Sequence, residues 1–342
     1  MAMIDAEPFG WMPDGQEVRR VTIQGGGLTA KIINWGAVIQ DLRLVGHTDP
    51  LVLGFEDFRF YPVHSPHFGA MVGRFANRIA HGRFTIDGKA YQADLNFLGK
   101  HTLHGGAGGI GRQLWTLKEA GPDFVTLTYR ARDGEMGFPG NLDISCTYRA
   151  MPAGRLVIEL SAATDAPTLC NLAHHSYFNL DDGGRSDVLG HSVQIEAGAY
   201  LPVDEELIPT GDIVPVEGTD FDFRNPRRIR NADGALHTPY DLNFCVSDAR
   251  GPLRRVATVR GARSAVEMEV WTTEPGVQFY DGVGVARDVP GLEGISYGAH
   301  GGLCLEPQIW PDAPNRPNFP QAILRPDTPY AQMTEYRFKL AP

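Results

Sequence analysis

A chain of 342 residues that is 42% hydrophobic is long enough to bury a sizeable core, in one large domain or two smaller ones. Forty glycines and 25 prolines are too many for a helical protein and suit short strands joined by turns. With 31 Lys and Arg against 41 Asp and Glu the net charge is −10, which argues against a nucleic-acid partner, because phosphate binding needs a basic face.

The chain opens on MAMIDAEPFGWMPDGQEVRR, which has no basic start followed by an apolar run, and no span of about 18 apolar residues follows it. A cytoplasmic protein without a membrane partner is expected. Alternating or β-branched runs then recur at Leu28 to Leu44, Phe124 to Tyr129, Leu142 to Tyr148, Leu156 to Ala162, Val193 to Glu196 and Ala265 to Trp271. In VEMEV (Val266 to Val270) apolar and acidic residues alternate strictly, as in a strand with one wet face. The three runs centred near residues 127, 145 and 158 are closely spaced and predict an antiparallel meander. Gly, Pro, Asn and Asp clusters separate the runs. No linker, low-complexity tract or repeat stands out. Residues 1–342 therefore read as a single all-β domain, a large antiparallel β-sandwich.

The four cysteines (Cys146, Cys170, Cys245, Cys304) are widely spaced and form no CxxC pair, so reduced, mostly buried thiols are expected rather than a zinc site. GAGGIG (Gly106 to Gly111) misses the dinucleotide-loop register, and Ser176 lacks a GxSxG elbow. The basic stretch RNPRRIR (Arg224 to Arg230) reads as a solvated turn.

Three polar signatures stand apart from this pattern: LHGG (Leu103 to Gly106), HHSYFNL (His174 to Leu180) and CLEPQIWPDAPNRPNFP (Cys304 to Pro320). Together they offer histidines and a carboxylate, Glu306, in a short apolar run that ends at Pro307 and predicts a strand end. That is enough to move protons on a sugar without metal or redox cofactor: one residue takes a proton from a hydroxyl and another gives one to a ring oxygen. Each has a plainer reading: a buried carboxylate paired with an arginine, or a core histidine bonded to a backbone carbonyl. Gly105 and Gly106 permit positive φ and a close approach of backbone to ligand.

These signatures, with GRFANRIAHGRF (Gly73 to Phe84), DGEMGFPG (Asp133 to Gly140), VDEELIPTG (Val203 to Gly211), FDFRNP (Phe221 to Pro226) and TTEPGVQFY (Thr272 to Tyr280), closely resemble the aldose 1-epimerase (galactose mutarotase) family, in family order and over nearly the whole chain. The resemblance implies a galactose mutarotase-like supersandwich with its sugar site in an open cleft on one sheet. It implies a mutarotase interconverting the anomers of a free aldose such as galactose or glucose. Glu306 matches the general base, His175 the acid, and His104 the histidine that polarises the sugar. Arg74, Asn77, Asp241 and Gln278 match sugar-contacting positions. Arg78 is ambiguous on this pattern, and Trp310 suits either a stacking or a core role. No metal and no cofactor are implied, a monosaccharide is the expected partner, and either a monomer or a homodimer is compatible.

The chain departs from the family at His174, where asparagine is usual, and at Leu242, where histidine is usual. Two other readings compete. A non-catalytic sugar-binding protein would keep Arg74 and Asp241 but lose the base or the acid, and both are present. A glycoside hydrolase would need a second catalytic carboxylate, for which only Asp241 offers itself.

Overall fold

The computed structural model describes residues 5–230 and 238–340. Nine strands form its largest sheet, every neighbouring pair antiparallel. The expected meander lies at one side of it, as Phe124–Ala131, Leu142–Met151 and Arg155–Thr164 in succession. The strand Tyr330–Leu340 then inserts between Arg155–Thr164 and Val266–Thr272 and joins the meander to the rest of the sheet.

Alternation decides which face is covered. In Leu142–Met151 the residues Leu142, Ile144, Cys146, Tyr148 and Ala150 are buried while their neighbours are wetter. The buried row packs on residues of a four-stranded N-terminal sheet, such as Ile23, Ile32 and Leu42, and of a five-stranded sheet, such as Phe244, Val277 and Leu305. The result is an all-β layered structure with one core cluster shared by all three sheets. Among the described residues no helix is long and apolar enough to cross a membrane.

The Leu28 to Leu44 run is two strands, Leu28–Ile33 and Val38–Leu44. Gly36 turns the chain between them at φ 64°, where a Cβ would lie 2.3 Å from the carbonyl oxygen of Gly111. All four cysteines are free, and all but Cys245 are buried.

The five-stranded sheet positions the site. Asp241–Cys245, Gly276–Tyr280 and Cys304–Gln308 are successive neighbours, with Asn243 opposite Gln278 and Gln278 opposite Glu306. One face of these strands carries Leu242, Phe244, Val277, Phe279 and Leu305 into the core. The alternate residues, among them Asp241, Gln278 and Glu306, are left facing the other way.

Candidate active site

A cleft of about 510 Å³ opens over that second face. His67, Asn77, Arg78, His104, His175, Tyr177, Asp241, Tyr280 and Glu306 are among the residues lining it. A larger groove of about 690 Å³ crosses the outer face of the nine-stranded sheet, lined mostly by small and hydroxyl residues. It lacks the convergent buried titratable groups that mark a reactive site.

Glu306 sits within Cys304–Gln308, a fully buried strand, rather than at the strand end expected from Pro307. The strand runs on through the proline because it lies at the edge of its sheet, where a missing N–H costs no ladder bond. Burial pushes the Glu306 carboxyl well above the usual carboxylate range; Asp241 pushes the same way, and Arg78 pulls it back. Its Oε2 has no protein hydrogen-bond partner and lies 3.6 Å from Nε2 of His175.

His175 ends the short strand Ala173–His175, which pairs with Ala70–Val72. Burial holds this imidazole well below its ordinary range. Tyr177 stacks on it with ring centroids 5.0 Å apart. His174, one residue earlier, points to the opposite face. Its Nε2 meets Ser176 Oγ at 2.7 Å, and its ring packs against Tyr148 and Tyr336. The asparagine-to-histidine departure thus lies in the core, away from the cleft.

His104 is held by a reciprocal pair of bonds with Asn77. Its backbone N–H donates to the Asn77 carbonyl at 3.0 Å, and the Asn77 N–H donates to its Nδ1 at 3.1 Å. An acceptor Nδ1 fixes the tautomer: the neutral ring carries its proton on Nε2. Gly105 makes the approach possible at φ 83°, since a Cβ there would lie 2.0 Å from the Gly73 carbonyl oxygen. His104, His175 and Glu306 offer donor atoms within 4.8 Å of one another.

Asp241 accepts from Gln278 Nε2 at 2.7 Å through one oxygen and from Arg78 Nη2 at 2.9 Å through the other. Arg78 lies over the Phe97 ring, 4.8 Å from its centroid. The structure therefore corrects the choice of arginine. Arg74 does not line the cleft. It is buried, and its guanidinium donates to the carbonyls of Arg132, Pro139 and Gly140 and to Thr168 Oγ1. Those bonds turn the guanidinium toward a neighbouring loop, and Arg78 takes the cleft position that the sequence left ambiguous. Gln278 lies just beneath the cleft wall with its Oε1 unpaired. Trp310 belongs to the core: its indole N–H donates to the Pro275 carbonyl and its ring packs edge-on against Phe319.

Two loops brace the rim. Glu206, in the VDEELIPTG stretch, bonds Lys100 Nζ and His101 Nε2, and the next residue, Leu207, faces the cleft. Asp312 accepts from the Ala80 N–H and from Asn315 Nδ2, while Arg316 and Asn318 donate to the carbonyls of Pro209 and Gly211. The PDAPNRPN segment (residues 311–318) is thus a scaffold for the Val203 to Gly211 loop. His67, Tyr177 and Tyr280 are cleft residues that sequence reasoning passed over; nothing local in HSPHFG distinguishes His67 from His64.

An antiparallel β-sandwich with a buried carboxylate–imidazole pair on the floor of a cleft of about 510 Å³ defines a class of candidate acid–base site. Comparison with known proteins makes the class specific. Residues 19–337 match the family described as Aldose 1-epimerase. Galactose mutarotase of Rattus norvegicus is 41% identical over 346 residues, covering 100% of both chains. Galactose mutarotase of Homo sapiens is 40% identical with the same coverage, and aldose 1-epimerase of Escherichia coli is 36% identical over 95% of this chain and 96% of its own. Among solved structures, an aldose epimerase homologue from C. elegans superimposes with a TM-score of 0.88 at 31% identity, covering 95% of this chain and 100% of the other. The chain belongs to the aldose 1-epimerase family.

Proposed function

We propose that this protein is a mutarotase that interconverts the α and β anomers of galactose or glucose, with Glu306 as base and His175 as acid. The observation that carries the assignment of roles is the 3.6 Å separation of Glu306 Oε2 and His175 Nε2 on the cleft floor. The two reacting oxygens of an aldose, the C1 hydroxyl and the ring oxygen, hang on one carbon. Acid and base must therefore converge on a point. A glycoside hydrolase instead spaces two carboxyl groups by about 5–5.5 or 6.5–9.5 Å across the bond it cleaves.

On this reading the working pair shares one proton, either as carboxylate with imidazolium or as carboxylic acid with neutral imidazole, and it titrates as a unit. Starting from the charged form, Glu306 takes the C1 hydroxyl proton while His175 gives its proton to the ring oxygen. The C1–O5 bond breaks and an open-chain aldehyde forms. Glu306 is then protonated and His175 neutral, which is the form that burial favours for both groups. Rotation about C1–C2 presents the other carbonyl face, and the same two protons return as the ring closes. His104, with its proton on Nε2, is suited to donate to the sugar. Asp241, Arg78 and Asn77 supply acceptors and donors for the remaining hydroxyls, and Gln278 acts from beneath by holding Asp241.

Residues 1–342 act on this reading as one domain, and the core cluster shared by three sheets supports it. The relatives named galactose mutarotase favour a hexose substrate. Polarimetry on freshly dissolved α-galactose, α-glucose, α-xylose and α-arabinose tests the proposal. A rotation that relaxes no faster with protein than without it, for every sugar, refutes it.

A further inference from the structure

His67 has no role in the proton transfers described above, yet it occupies the wall of the cleft beside both other imidazoles. Its ring centroid is 4.7 Å from that of His104, edge to face, and 5.6 Å from that of His175, nearly parallel at 28°. The backbone holds it there. The Ala70 N–H donates to the His67 carbonyl at 3.0 Å, at the head of the strand that pairs with Ala173–His175. Tyr177, two residues beyond that second strand, reaches back, its hydroxyl donating to the Pro66 carbonyl at 2.7 Å.

His67 lies at φ 72° and Gly69 at φ 64°. These left-handed residues turn the chain at the cleft wall and set the His67 ring toward His104 and His175. Neither ring nitrogen of His67 has a protein partner among the described residues, and neither is among the side-chain atoms sealed from solvent. Burial and the neighbouring Arg112 charge push the imidazole down to about 4, so it is neutral at neutral pH. A neutral imidazole carries one N–H donor and one lone-pair acceptor, the combination a sugar hydroxyl can meet from either side.

We propose that His67 is a sugar-contacting, specificity-determining residue that hydrogen-bonds one hydroxyl of the bound aldose through its free ring nitrogens. This rests on the reading of the cleft as an aldose site. Contacts of this kind hold ground and transition states alike, so they act on KM more than on kcat. They also reject analogues that lack the hydroxyl.

The test is His67→Phe, which keeps an aromatic ring against His104 and His175 and removes both nitrogens. The expected result is a KM for galactose raised about 3- to 10-fold, the worth of one neutral hydrogen bond, with kcat within about 3-fold. Across the monodeoxygalactoses, one compound lacks the contacted hydroxyl and shows the same KM with wild type and variant. His67→Ala, checked for cooperative unfolding, should lower kcat as well, because the support for His175 goes with the ring. An active wild type with a His67→Phe variant unchanged in KM for galactose and glucose overturns the inference and leaves His67 a packing residue. A wild type with no mutarotation of any sugar fails the functional reading first.

Discussion

Replacing Glu306 with glutamine should abolish turnover and stabilise the fold, two effects of opposite sign from one atom. Glutamine keeps the shape of the side chain and cannot take a proton. A positioned base contributes about 10²–10⁴-fold, so kcat should fall by at least about 100-fold, or about 2.7 kcal/mol at 1.36 kcal/mol per tenfold. KM should move little, because the hydroxyl contacts at Asp241 and Arg78 remain. Stability moves the other way because Glu306 is 2% exposed and its Oε2 has no protein hydrogen bond. The folded carboxyl is raised above its ordinary 4.5, so the folded state holds that proton more tightly than the unfolded chain does. Stability from this group is present below pH 4.5 and is lost as pH rises through the folded value. The variant lacks this loss. Its Tm advantage over wild type should therefore widen between pH 4.5 and neutrality. Polarimetry on α-galactose gives kcat, and calorimetry at the two pH values gives the Tm gap. A variant retaining a third of wild-type kcat, or a gap that narrows as pH rises, refutes the argument.

Three further outcomes follow from the same geometry. His175→Asn should lower kcat by about 10²-fold or more, whereas His174→Asn should keep kcat and lower Tm, because that ring packs against Tyr148 and Tyr336 in the core; the reverse pattern in parallel kinetic and melting assays would show the register of the two histidines to be wrong. Asp241→Asn should raise KM more than it lowers kcat and alter the galactose-to-glucose preference, while Arg74→Met should lower Tm with KM unaffected, since its bonds tie the loop at Arg132 to Gly140; an unchanged KM in the first or a raised KM in the second counts against these assignments. Exhaustive EDTA treatment should leave mutarotation unchanged, although His104, His175 and Glu306 have donor atoms within 4.8 Å of one another; a large loss restored by a divalent ion would reassign the trio as ligands.

The sequence carried the chemistry further than the packing. Period-two alternation made the meander visible, whereas the choice of His175 over His174 rested on the resemblance of HHSYFNL to the family motif; a one-residue slip of their short strand would exchange the two faces. The polar row of Asp241, Gln278 and Glu306 follows the same rule, each residue alternating along its strand with apolar neighbours that enter the core. Arg74 and Arg78 were not separable in this way. They sit in one short irregular motif, GRFANR, where no period applies. Only the pairing of Arg78–Ile79 with Thr102–Leu103 sets Arg78 beside His104, and only the fold of a distant loop gives Arg74 its carbonyl acceptors. His67 was hidden for the same reason. Its nearness to His175 is made by the pairing of two three-residue strands far apart in the chain. Pro307 misled in the other direction, because edge position, which tolerates proline, is a property of the sheet.

The energetics of the site explain why its residues break the rules that the rest of the chain obeys. Buried polar side chains in a stable core find partners, since an unpaired one costs about 1–3 kcal/mol. Yet Glu306 Oε2, His175 Nδ1, Arg78 Nε, Gln278 Oε1 and both amide atoms of Asn243 and Gln308 lack protein partners. Most of these fall on three adjacent strands, in the rows that face away from the core. Elsewhere buried charge is met by partners, as Glu274 is by Arg250 and Arg74 by backbone carbonyls. The contrast separates two kinds of buried polarity. Glu274 is held in place by its partner, and its charge is already neutralised. Glu306 and His175 are held in place by strand pairing and by Tyr177, with their reactive atoms left uncommitted. In the proposed roles, a group that exchanges a proton with a sugar cannot have its lone pair already satisfied, and the instability concentrated on this face would leave the pair able to react.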